Sequence, residues 1–398
     1  MQKFLNISNL NQIEVFLIGL NILESVDKNT ISRTGDRSCQ FLCHPTNLIT
    51  FGIYYDTISN QTKVTELNKH MFNSTITNVN NATLPYLNTN ETVLPAHIFL
   101  YRGIILHLVV FHKRGEEQFL WTDKIDFQGL KKPHFVNLNF VNYGQFPAAF
   151  DYFENSVFIL DGIKLLHPSN IPLFLQQVEH SQFVECNHSY AQIHRSKYPM
   201  KDPQTAANFS STGKLILKHV KKTLDHINVP FQLNGGTLLG WYRQCELDYQ
   251  MKDVDIEIFH KDYTRKIPSA LDNGTLHKMY RFGKENDSLE FSFSFNSVKL
   301  DIFIVYEDSD YFWVGGVETG NLQKYKFIYP KYSPCRAEFI GVLVRVPCDV
   351  LSSLKTNYGD NFLVPTYDFQ WASSPTNIFK NGGWKESERN EVVQIFDI

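Results

Sequence analysis

The sequence has no long apolar run near its start and almost no net charge. Its first apolar run, 15–20, is six residues long, whereas a membrane helix needs about 20 and a signal peptide roughly 7–15. The 38 basic and 41 acidic residues leave a formal charge of −3, so no overall field attracts a polynucleotide. We therefore expect no nucleic-acid partner, and we expect any membrane anchor to lie upstream of this chain and outside it.

Three common catalytic motifs are missing as well. The chain has no Walker A loop, no Gly-x-Gly-x-x-Gly fingerprint and no Gly-x-Ser-x-Gly nucleophile elbow. P-loop phosphate binding, the dinucleotide-binding turn and the serine-hydrolase arrangement are therefore not indicated. No cysteine–histidine nucleophile pattern stands out either.

Cysteine is scarce, with six residues in 398, but the even number suits an oxidising compartment. Cys39, Cys43 and His44 could begin a zinc site, yet no second Cys/His pair follows at finger spacing, so a disulfide or two structural cysteines is favoured. Nine Asn-x-Ser/Thr sequons support passage through the secretory pathway. Their asparagines are Asn6, Asn60, Asn73, Asn81, Asn90, Asn187, Asn208, Asn273 and Asn286.

The length of 398 residues is enough for two domains with cores of their own. The first, predicted over 1–195, mixes short strands and helices into an α/β domain and carries no chemical motif. An Asn- and Thr-rich segment, 57–95, interrupts it and is predicted to be an exposed insertion. Buried-strand candidates lie on either side of that segment, at 15–20, 48–55 and 104–112.

The polar stretch 197–209 is predicted to separate this domain from a second one, 203–398. A helix with apolar residues at three- and four-residue spacing follows it. Alternating polarity predicts strands at 254–259, 288–295 and 298–306. Helices interleaved with strands give the second domain an α/β fold too, so the fold class is α/β of the mixed α+β kind.

Three acids alternate along the first of these strands. Side chains two residues apart share a face of a strand, so Asp253, Asp255 and Glu257 are predicted to point the same way. Carboxylates on one face repel each other unless a cation lies between them. Asp301 is a further acid among apolar residues of a later strand. We expect Asp253, Asp255 and Asp301 to be catalytic and to bind Mg²⁺, with Mn²⁺ as the alternative; a solvated strand face or an ordinary ion pair is the competing interpretation.

A glycine pair precedes the acidic strand. Gly235 and Gly236 would let the backbone approach a phosphate, and the helix that begins near Thr237 would offer free N–H groups. Basic residues nearby could neutralise a diphosphate. The residues predicted to bind the donor are Gly235, Gly236, Thr237, Arg243, Lys252, Lys299 and Lys326. A plain turn and ordinary surface charges are the alternatives.

The glycine turn, the Asp-x-Asp strand and the later lone aspartate resemble the LicD/fukutin family of nucleotidyltransferase-like phosphotransferases. The resemblance covers nearly the whole chain apart from the 57–95 insertion. The segments that carry it in the second domain are GWYRQC (240–245), KDVDIEIF (252–259), DSLEFSF (287–293), VKLDIF (298–303) and VPCDVL (346–351).

The resemblance implies a nucleotidyltransferase-like second domain with a mixed sheet flanked by helices. It also implies a type II membrane enzyme of the Golgi lumen that transfers ribitol 5-phosphate from CDP-ribitol to an O-mannosyl glycan of a dystroglycan-like glycoprotein. Asp253, Asp255 and Asp301 would hold the metal, and the glycines with Arg243 would lie along the donor. A complex with related Golgi transferases is a further expectation.

The chain departs from the family pattern at the acidic strand. Met251 and Lys252 stand where LicD proteins commonly have two aspartates, and Glu257 stands where a small residue is usual, so a changed acceptor or metal geometry is one possibility. Two other functions stay open from the residues alone. One is another nucleotide-dependent transferase, of phosphocholine, glycerol phosphate or a sugar, and the other is a lumenal scaffold without activity.

Overall fold

The computed structural model of the chain divides into two compact units, Met1–Phe183 and Val184–Ile398. It describes residues 2–28, 48–58, 77–79, 96–101, 105–125, 141–200, 202–247, 253–366 and 368–396. Cys39, Cys43, His44, Lys252 and most of the 57–95 insertion lie outside these ranges, so the predictions made for them stay predictions. None of the described helices is both long enough and apolar enough to span a membrane.

The first unit is built on one mixed sheet of nine strands. The strands are β1 Val15–Leu17, β2 Leu48–Tyr54, β3 Thr77–Val79, β4 His97–Tyr101, β5 Ile105–Arg114, β6 Phe119–Thr122, β7 Ala148–Phe150, β8 Asn155–Leu160 and β9 Ile163–Pro168. The helices are α1 Gln2–Leu10, α2 Leu20–Asp27, α3 Tyr55–Ile58 and α4 Ile171–Glu179. The main strand order is β3-β4-β5-β2-β1-β9-β8, and the β2–β5 and β1–β9 pairs are parallel.

Aromatic side chains fill one layer of this unit. Phe16 and Phe111 stack with ring centroids 5.8 Å apart, and Phe150 meets Phe111 edge-to-face at 5.5 Å. Gly52 lies between these rings, where any Cβ would overlap the rings of Phe16 and Phe111. Each fully buried phenylalanine contributes roughly 1.5–3 kcal/mol, so this layer is a large part of the unit's stability.

The second unit contains a second nine-stranded sheet and a separate hairpin. Its strands are β10 Gln232–Leu233, β11 Asp253–Phe259, β12 His277–Lys284, β13 Asp287–Phe295, β14 Val298–Glu307, β15 Tyr311–Glu318, β16 Gln323–Pro330, β17 Pro334–Phe339, β18 Val342–Pro347, β19 Ile378–Gly383 and β20 Val393–Ile395. Its helices are α5 His188–Lys197, α6 Pro203–His226, α7 Gly235–Gln244, α8 Ile267–Leu271, α9 Val350–Tyr358 and α10 Arg389–Val392. The path β19-β16-β15-β14-β13-β12-β20 is extended by β11, which pairs with β14 and β10.

Helix α6 covers the apolar face of this sheet. Its buried residues Leu217, Val220 and Leu224 recur at three- and four-residue spacing and belong to the same core cluster as Ile256 of β11 and Ile302 of β14. The α/β class and the helix predicted from this spacing are therefore confirmed. The opposite face of β11 and β14 carries the acids at one end and a small apolar cluster, which includes Phe259, Phe303 and Val305, further along.

The second unit begins earlier than the predicted boundary. Val184 is its first residue, whereas the sequence predicted a boundary between residues 195 and 203. The polar composition of that stretch did not reveal that the helix before it packs on the second unit. Helix α5 is in fact fixed to α7. A disulfide joins Cys186 to Cys245, and Arg195 Nη1 donates to the Gln244 carbonyl at 2.6 Å. A second disulfide, Cys335–Cys348, closes the β17–β18 hairpin.

Candidate metal and donor site

The parallel pairing of β11 with β14 brings the predicted acids together. Asp255 lies directly opposite Asp301, and Asp253 lies opposite Lys299. Because these partners face the same side of the sheet, the three aspartates share one polar face. One carboxylate oxygen from each aspartate lies within 4.8 Å of the chosen oxygens of the other two.

The register that makes this cluster is set by the other face of the same strands. Val254, Ile256 and Leu300 are completely buried there. A slip of one residue would exchange these side chains with the carboxylates, exposing apolar groups worth roughly 1.5–3 kcal/mol each. The hydrophobic core therefore determines which acids meet.

The glycine turn at the start of α7 holds Asp255 in place. Gly236 N donates to Asp255 Oδ2 at 3.1 Å, and the Asp255 N–H donates to Thr237 Oγ1 at 2.7 Å. Gly235 N donates to the capping Asn234 Oδ1 at 2.7 Å. Both glycine amides thus donate within the protein, and the expectation of free N–H groups at this turn is not met. The turn positions the Asp255 carboxylate, which comes from β11 and occupies the N-terminus of α7.

Gly235 is required at this turn for two reasons. Its φ is +50°, in the left-handed region that disfavours a side chain, and a Cβ would lie 2.8 Å from Asp255 Oδ2. Any other residue would strain the backbone and push the carboxylate away.

Lys299 contacts two of the three acids. Its Nζ lies 2.7 Å from Asp301 Oδ2 and 3.7 Å from Asp253 Oδ2. Burial alone would lower the pKa of Lys299, but Asp301 and Asp253 outweigh it and raise that pKa. Ser292 Oγ donates to the other Asp301 oxygen, Oδ1, at 2.5 Å. Both Asp301 oxygens are therefore oriented by neighbouring side chains. The Lys299–Asp301 contact is the ion pair of the competing interpretation, and the donor-binding role of Lys299 stays a prediction.

One lysine does not neutralise three carboxylates. Burial raises the pKa of Asp253 to about 6, with Asp301 adding to the shift. Burial, followed by the charges of Asp253 and Asp301, also raises the pKa of Asp255 well above its ordinary value. The site thus favours protons or another positive charge over a bare set of anions.

The donor set fits Mg²⁺ or Mn²⁺. Hard carboxylate oxygens bind Mg²⁺ at about 2.0–2.1 Å, so two ligands on opposite sides of the ion lie about 4.2 Å apart. Neighbouring ligands of an octahedral ion lie only about 2.9 Å apart, so the ligand oxygens of Asp253, Asp255 and Asp301, which lie within 4.8 Å of one another, would reach that geometry through side-chain movements of up to about 2 Å. Three protein oxygens leave further positions for the phosphate oxygens of a substrate.

Glu257 shares the face but not the cluster. Only 4% of it is exposed, and its Oε1 accepts a hydrogen bond from Tyr332 Oη at 2.7 Å and another from Gln232 Nε2. Burial raises its pKa to about 7, although these two hydrogen bonds act in the opposite direction. This departure from the family pattern is therefore accommodated by its own neighbours.

Two further residues predicted to bind the donor, Arg243 and Lys326, lie in different surroundings. Arg243, on α7, is 3% exposed. Burial raises the pKa of Tyr358; the charge of Asp255 adds to this shift and the charge of Arg243 opposes it. Lys326 lies on the opposite face of the sheet, because it pairs with Gly315, and its Nζ is 4.3 Å from the centre of the Trp313 ring. We therefore drop Lys326 as a donor residue: its strand register, which the sequence does not reveal, turns it away from the acids.

Two further residues of the face were missed in the sequence. Ser292, described above, lies opposite Asp301, and Glu290 lies two residues before it on the same strand. Burial raises the pKa of Glu290 to about 8, with Asp301 and Asp253 adding to the shift and Lys299 opposing it. The signal was present: in DSLEFSF the residues Ser288, Glu290 and Ser292 alternate with apolar ones.

The raised carboxyl pKa values predict that the metal-free protein loses stability as the pH rises. Folded Asp253, Glu257 and Glu290 hold protons up to about pH 6, 7 and 8, whereas the unfolded chain releases them near pH 4. The unfolded state therefore binds fewer protons in this window, and the free energy of unfolding falls from about pH 4 to pH 8.

Differential scanning calorimetry in EDTA should show a thermal midpoint that falls over this range, and Mg²⁺ should restore most of the loss near pH 8. Glu257→Gln serves as the control, because it should flatten part of the slope and leave the response to Mg²⁺ intact. A midpoint that rises with pH would contradict the assignment.

Comparisons with known proteins agree with this architecture. Residues 1–214 match the family described as "Fukutin N-terminal", and residues 228–349 match "LicD/FKTN/FKRP, nucleotidyltransferase domain". The second match contains Asp253, Asp255 and Asp301.

Several curated relatives are similar over the whole chain. The mouse protein named "Ribitol-5-phosphate transferase FKTN" is 35% identical over 405 residues, covering 100% of this chain and 88% of its own length. The human protein of the same name is 33% identical with the same coverage. An uncharacterized Caenorhabditis elegans protein is 33% identical over 242 residues, which is 58% of this chain and 62% of that protein. The chain belongs to the fukutin family, within the LicD/FKTN/FKRP group, and is a transferase.

Proposed function

We propose that the chain transfers ribitol 5-phosphate from CDP-ribitol to a hydroxyl of an O-mannosyl glycan on a dystroglycan-like glycoprotein. The observation that carries the proposal is the meeting of Asp253, Asp255 and Asp301 on one face. Its support from outside the chain is that relatives similar over its full length are named ribitol-5-phosphate transferases.

In this proposal the three aspartates hold Mg²⁺, with Mn²⁺ as the alternative ion. The ion, when bound, neutralises diphosphate charge and stabilises the leaving CMP. Gly236 and Thr237 fix Asp255, and Ser292 fixes Asp301, so that these carboxylates need little rearrangement when substrate binds. Lys299 adds a positive charge beside the same face.

The acceptor hydroxyl attacks the ribitol-bearing phosphorus in line with the departing CMP oxygen. Most of the rate acceleration in such a transfer comes from positioning and electrostatics. The hydroxyl must lose a proton, and in this proposal Asp301 accepts or steers it. Glu290 provides a second carboxylate on the same face for this step.

The remaining expectations concern location and partners. Two disulfides in the described part of the chain and the nine sequons support an oxidising, lumenal compartment. We propose the Golgi lumen as the location and a complex with related Golgi transferases.

Titration calorimetry tests the donor. We expect CDP to bind in the presence of Mg²⁺ and to bind far more weakly in EDTA, and we expect UDP and GDP to compete poorly. Mass spectrometry of an O-mannosyl glycopeptide incubated with CDP-ribitol should then show addition of one ribitol phosphate. Tighter binding of UDP would favour a glycosyltransferase, transfer from CDP-choline or CDP-glycerol would change the donor, and folded protein without metal-dependent CDP binding would favour a scaffold.

A further inference from the structure

The sheet face that carries the acids continues from β14 onto β15 and β16. Val305, in the apolar cluster of that face, lies opposite Val314 of β15, and Val314 lies opposite Phe327 of β16. Because opposite residues of neighbouring strands share a face, Phe327 is on the side of the acids. Tyr325 and Tyr329, two residues to either side of it, are there too. These three side chains form an aromatic row about 13 Å long by the usual rise of a strand.

The indole of Trp371 lies against one end of this row. Gly316 of β15 is opposite Tyr325, and a Cβ at Gly316 would lie 3.0 Å from Cζ3 of the Trp371 ring. The Tyr325 ring meets the indole edge-on, with centroids 5.5 Å apart. A glycine inside a strand often marks the close approach of another group. Here that group is the indole, which rests on the backbone of β15.

The segment that carries Trp371 is attached to two neighbouring elements. Thr376 N donates to the Asn357 carbonyl of α9 at 3.0 Å, and Asn377 Nδ2 donates to the Ile328 carbonyl of β16 at 3.0 Å. These bonds hold the segment in place in the absence of a ligand. Little conformational freedom therefore has to be lost when a ligand binds to the ring.

The Trp371 side chain is nevertheless open to a ligand. The residue is 45% exposed, and its Nε1–H makes no hydrogen bond within the described part of the chain. An indole combines a large apolar ring with one polar group, and both are available here. A preformed aromatic surface with an unused donor is typical of a small-molecule subsite.

The other end of β16 lies at the acidic face. Just after this strand, Tyr332 Oη donates to Glu257 Oε1 at 2.7 Å. Glu257 is two residues from Asp255 on the same face of β11. The aromatic row thus leads from the surroundings of the acids to Trp371, and a ligand lying along it would contact both.

A second connection between Trp371 and the acids runs through α9. The ring of Phe369 lies 5.3 Å from the ring of Tyr358, the last residue of that helix, and Trp371 is two residues beyond Phe369. Tyr358 is within electrostatic reach of Asp255, whose charge adds to the raised pKa that burial gives this tyrosine. Aromatic rings therefore border the way from the acids to Trp371 on this side as well.

Charge does not determine what this surface binds. Lys380 of β19 lies opposite Tyr325, Tyr325 Oη donates to Glu318 Oε2 at 3.4 Å, and Asp368 precedes Phe369. A cation and two anions thus lie near the rings. The rings themselves favour a ligand with an apolar face, because the electron-rich face of an indole attracts the polarised C–H groups of a sugar ring. The indole N–H can donate to a sugar hydroxyl.

We propose that Trp371 stacks against a sugar ring of the acceptor glycan while the glycan's reactive hydroxyl lies at the carboxylate cluster. The inference rests on the proposed function, since it assigns a subsite for the acceptor of that reaction. A donor held by its diphosphate keeps its base within one ribose of the acids, whereas a glycan is a chain. A row of about 13 Å accommodates roughly two or three linked sugar rings.

Trp371→Leu compared with Trp371→Phe is the sharpest test. Leucine still covers Gly316 but has no ring face, whereas phenylalanine keeps one. We expect the KM for an O-mannosyl glycopeptide to rise about tenfold in Trp371→Leu and less than about threefold in Trp371→Phe. The kcat at saturating acceptor and the Kd for CDP should be unchanged in both. A wild-type KM in Trp371→Leu would overturn the inference, and so would a weaker Kd for CDP, which would assign the ring to the donor base.

Phe379→Leu is the matched control. Phe379 is another exposed aromatic residue of this unit, at 55%, but it lies opposite Lys326, on the face turned away from the acids. Its loss should leave the KM for the glycopeptide at the wild-type value. The thermal midpoints of all three variants should be recorded, so that a change in KM is compared only among folded proteins.

A direct binding measurement keeps the inference independent of turnover. Saturation-transfer NMR with the oligosaccharide released from the glycopeptide should show contact with the wild type and with Phe379→Leu, and reduced contact with Trp371→Leu. Absence of contact with the wild type, or equal contact in all three proteins, would overturn the inference. If contact depends on Trp371 but the wild type transfers nothing to the glycopeptide, the result counts against the proposed reaction alone.

Discussion

Asp255→Asn is expected to reduce transfer by about 10³-fold or more while leaving the metal-free protein at least as stable as the wild type. The loss of activity follows from the proposed mechanism, in which three carboxylates together hold the ion and orient the diphosphate, because the substitution removes one of them. The stability follows from the electrostatics of the cluster. Burial and the charges of Asp253 and Asp301 raise the pKa of Asp255, so a neutral amide of the same shape relieves repulsion. The amide oxygen can still accept from Gly236 N.

Two measurements on the same preparation check this result. Calorimetric scans in EDTA should give a thermal midpoint equal to or above that of the wild type, and addition of Mg²⁺ should no longer raise it. Glu257→Gln is the matched control, since Glu257 lies on the same strand and face but is bonded to Tyr332 and Gln232; this variant should keep the response to Mg²⁺. A folded Asp255→Asn protein with substantial activity would refute the assignment.

Gly235→Ala is expected to have the second largest effect. Its Cβ would lie 2.8 Å from Asp255 Oδ2 at a φ of +50°, and an L-residue in this conformation costs about 1–2 kcal/mol. Relief of the contact must move either the helix start or the carboxylate, and both movements open the metal site. We expect Mg²⁺ affinity to fall at least tenfold and turnover to fall with it.

Gly320→Ala provides the comparison for this substitution. A Cβ at Gly320 meets nothing within 4 Å, so the same change of side chain should leave Mg²⁺ affinity and turnover at wild-type values. Calorimetric titration with Mg²⁺ and the thermal midpoint should be recorded for both variants. Wild-type Mg²⁺ affinity in Gly235→Ala would show that the turn does not position Asp255.

Alternation along single strands was enough to predict the acidic face. Asp253 and Asp255 were placed together because the residues between them are apolar, and Asp301 was singled out because its neighbours are apolar too. The same pattern in β13 would have added Glu290 and Ser292. Local periodicity thus identifies the chemistry of a face whenever one side of the sheet is buried.

Strand order and tertiary hydrogen bonding could not be obtained in this way. Lys326 looked equivalent to Lys299 in sequence, yet its pairing with Gly315 turns it to the other face. The amide of Gly236 looked available for a phosphate, but a carboxylate from β11 uses it. Just after the unit boundary at Val184, a disulfide joins the chain to a cysteine 59 positions away. Each of these facts involves residues distant in the chain, on which local pattern carries no information.

The parallel contact between β11 and β14 has a kinetic consequence. The chain between its two strands includes the β12–β13 hairpin, and β13 pairs with β14 as well, so the β11–β14 contact joins segments that are not adjacent in the chain. Such non-local contacts form late on a folding route. If the proposed ion binds at this contact, it should bind after the strands have paired, and it should therefore slow unfolding far more than it accelerates refolding.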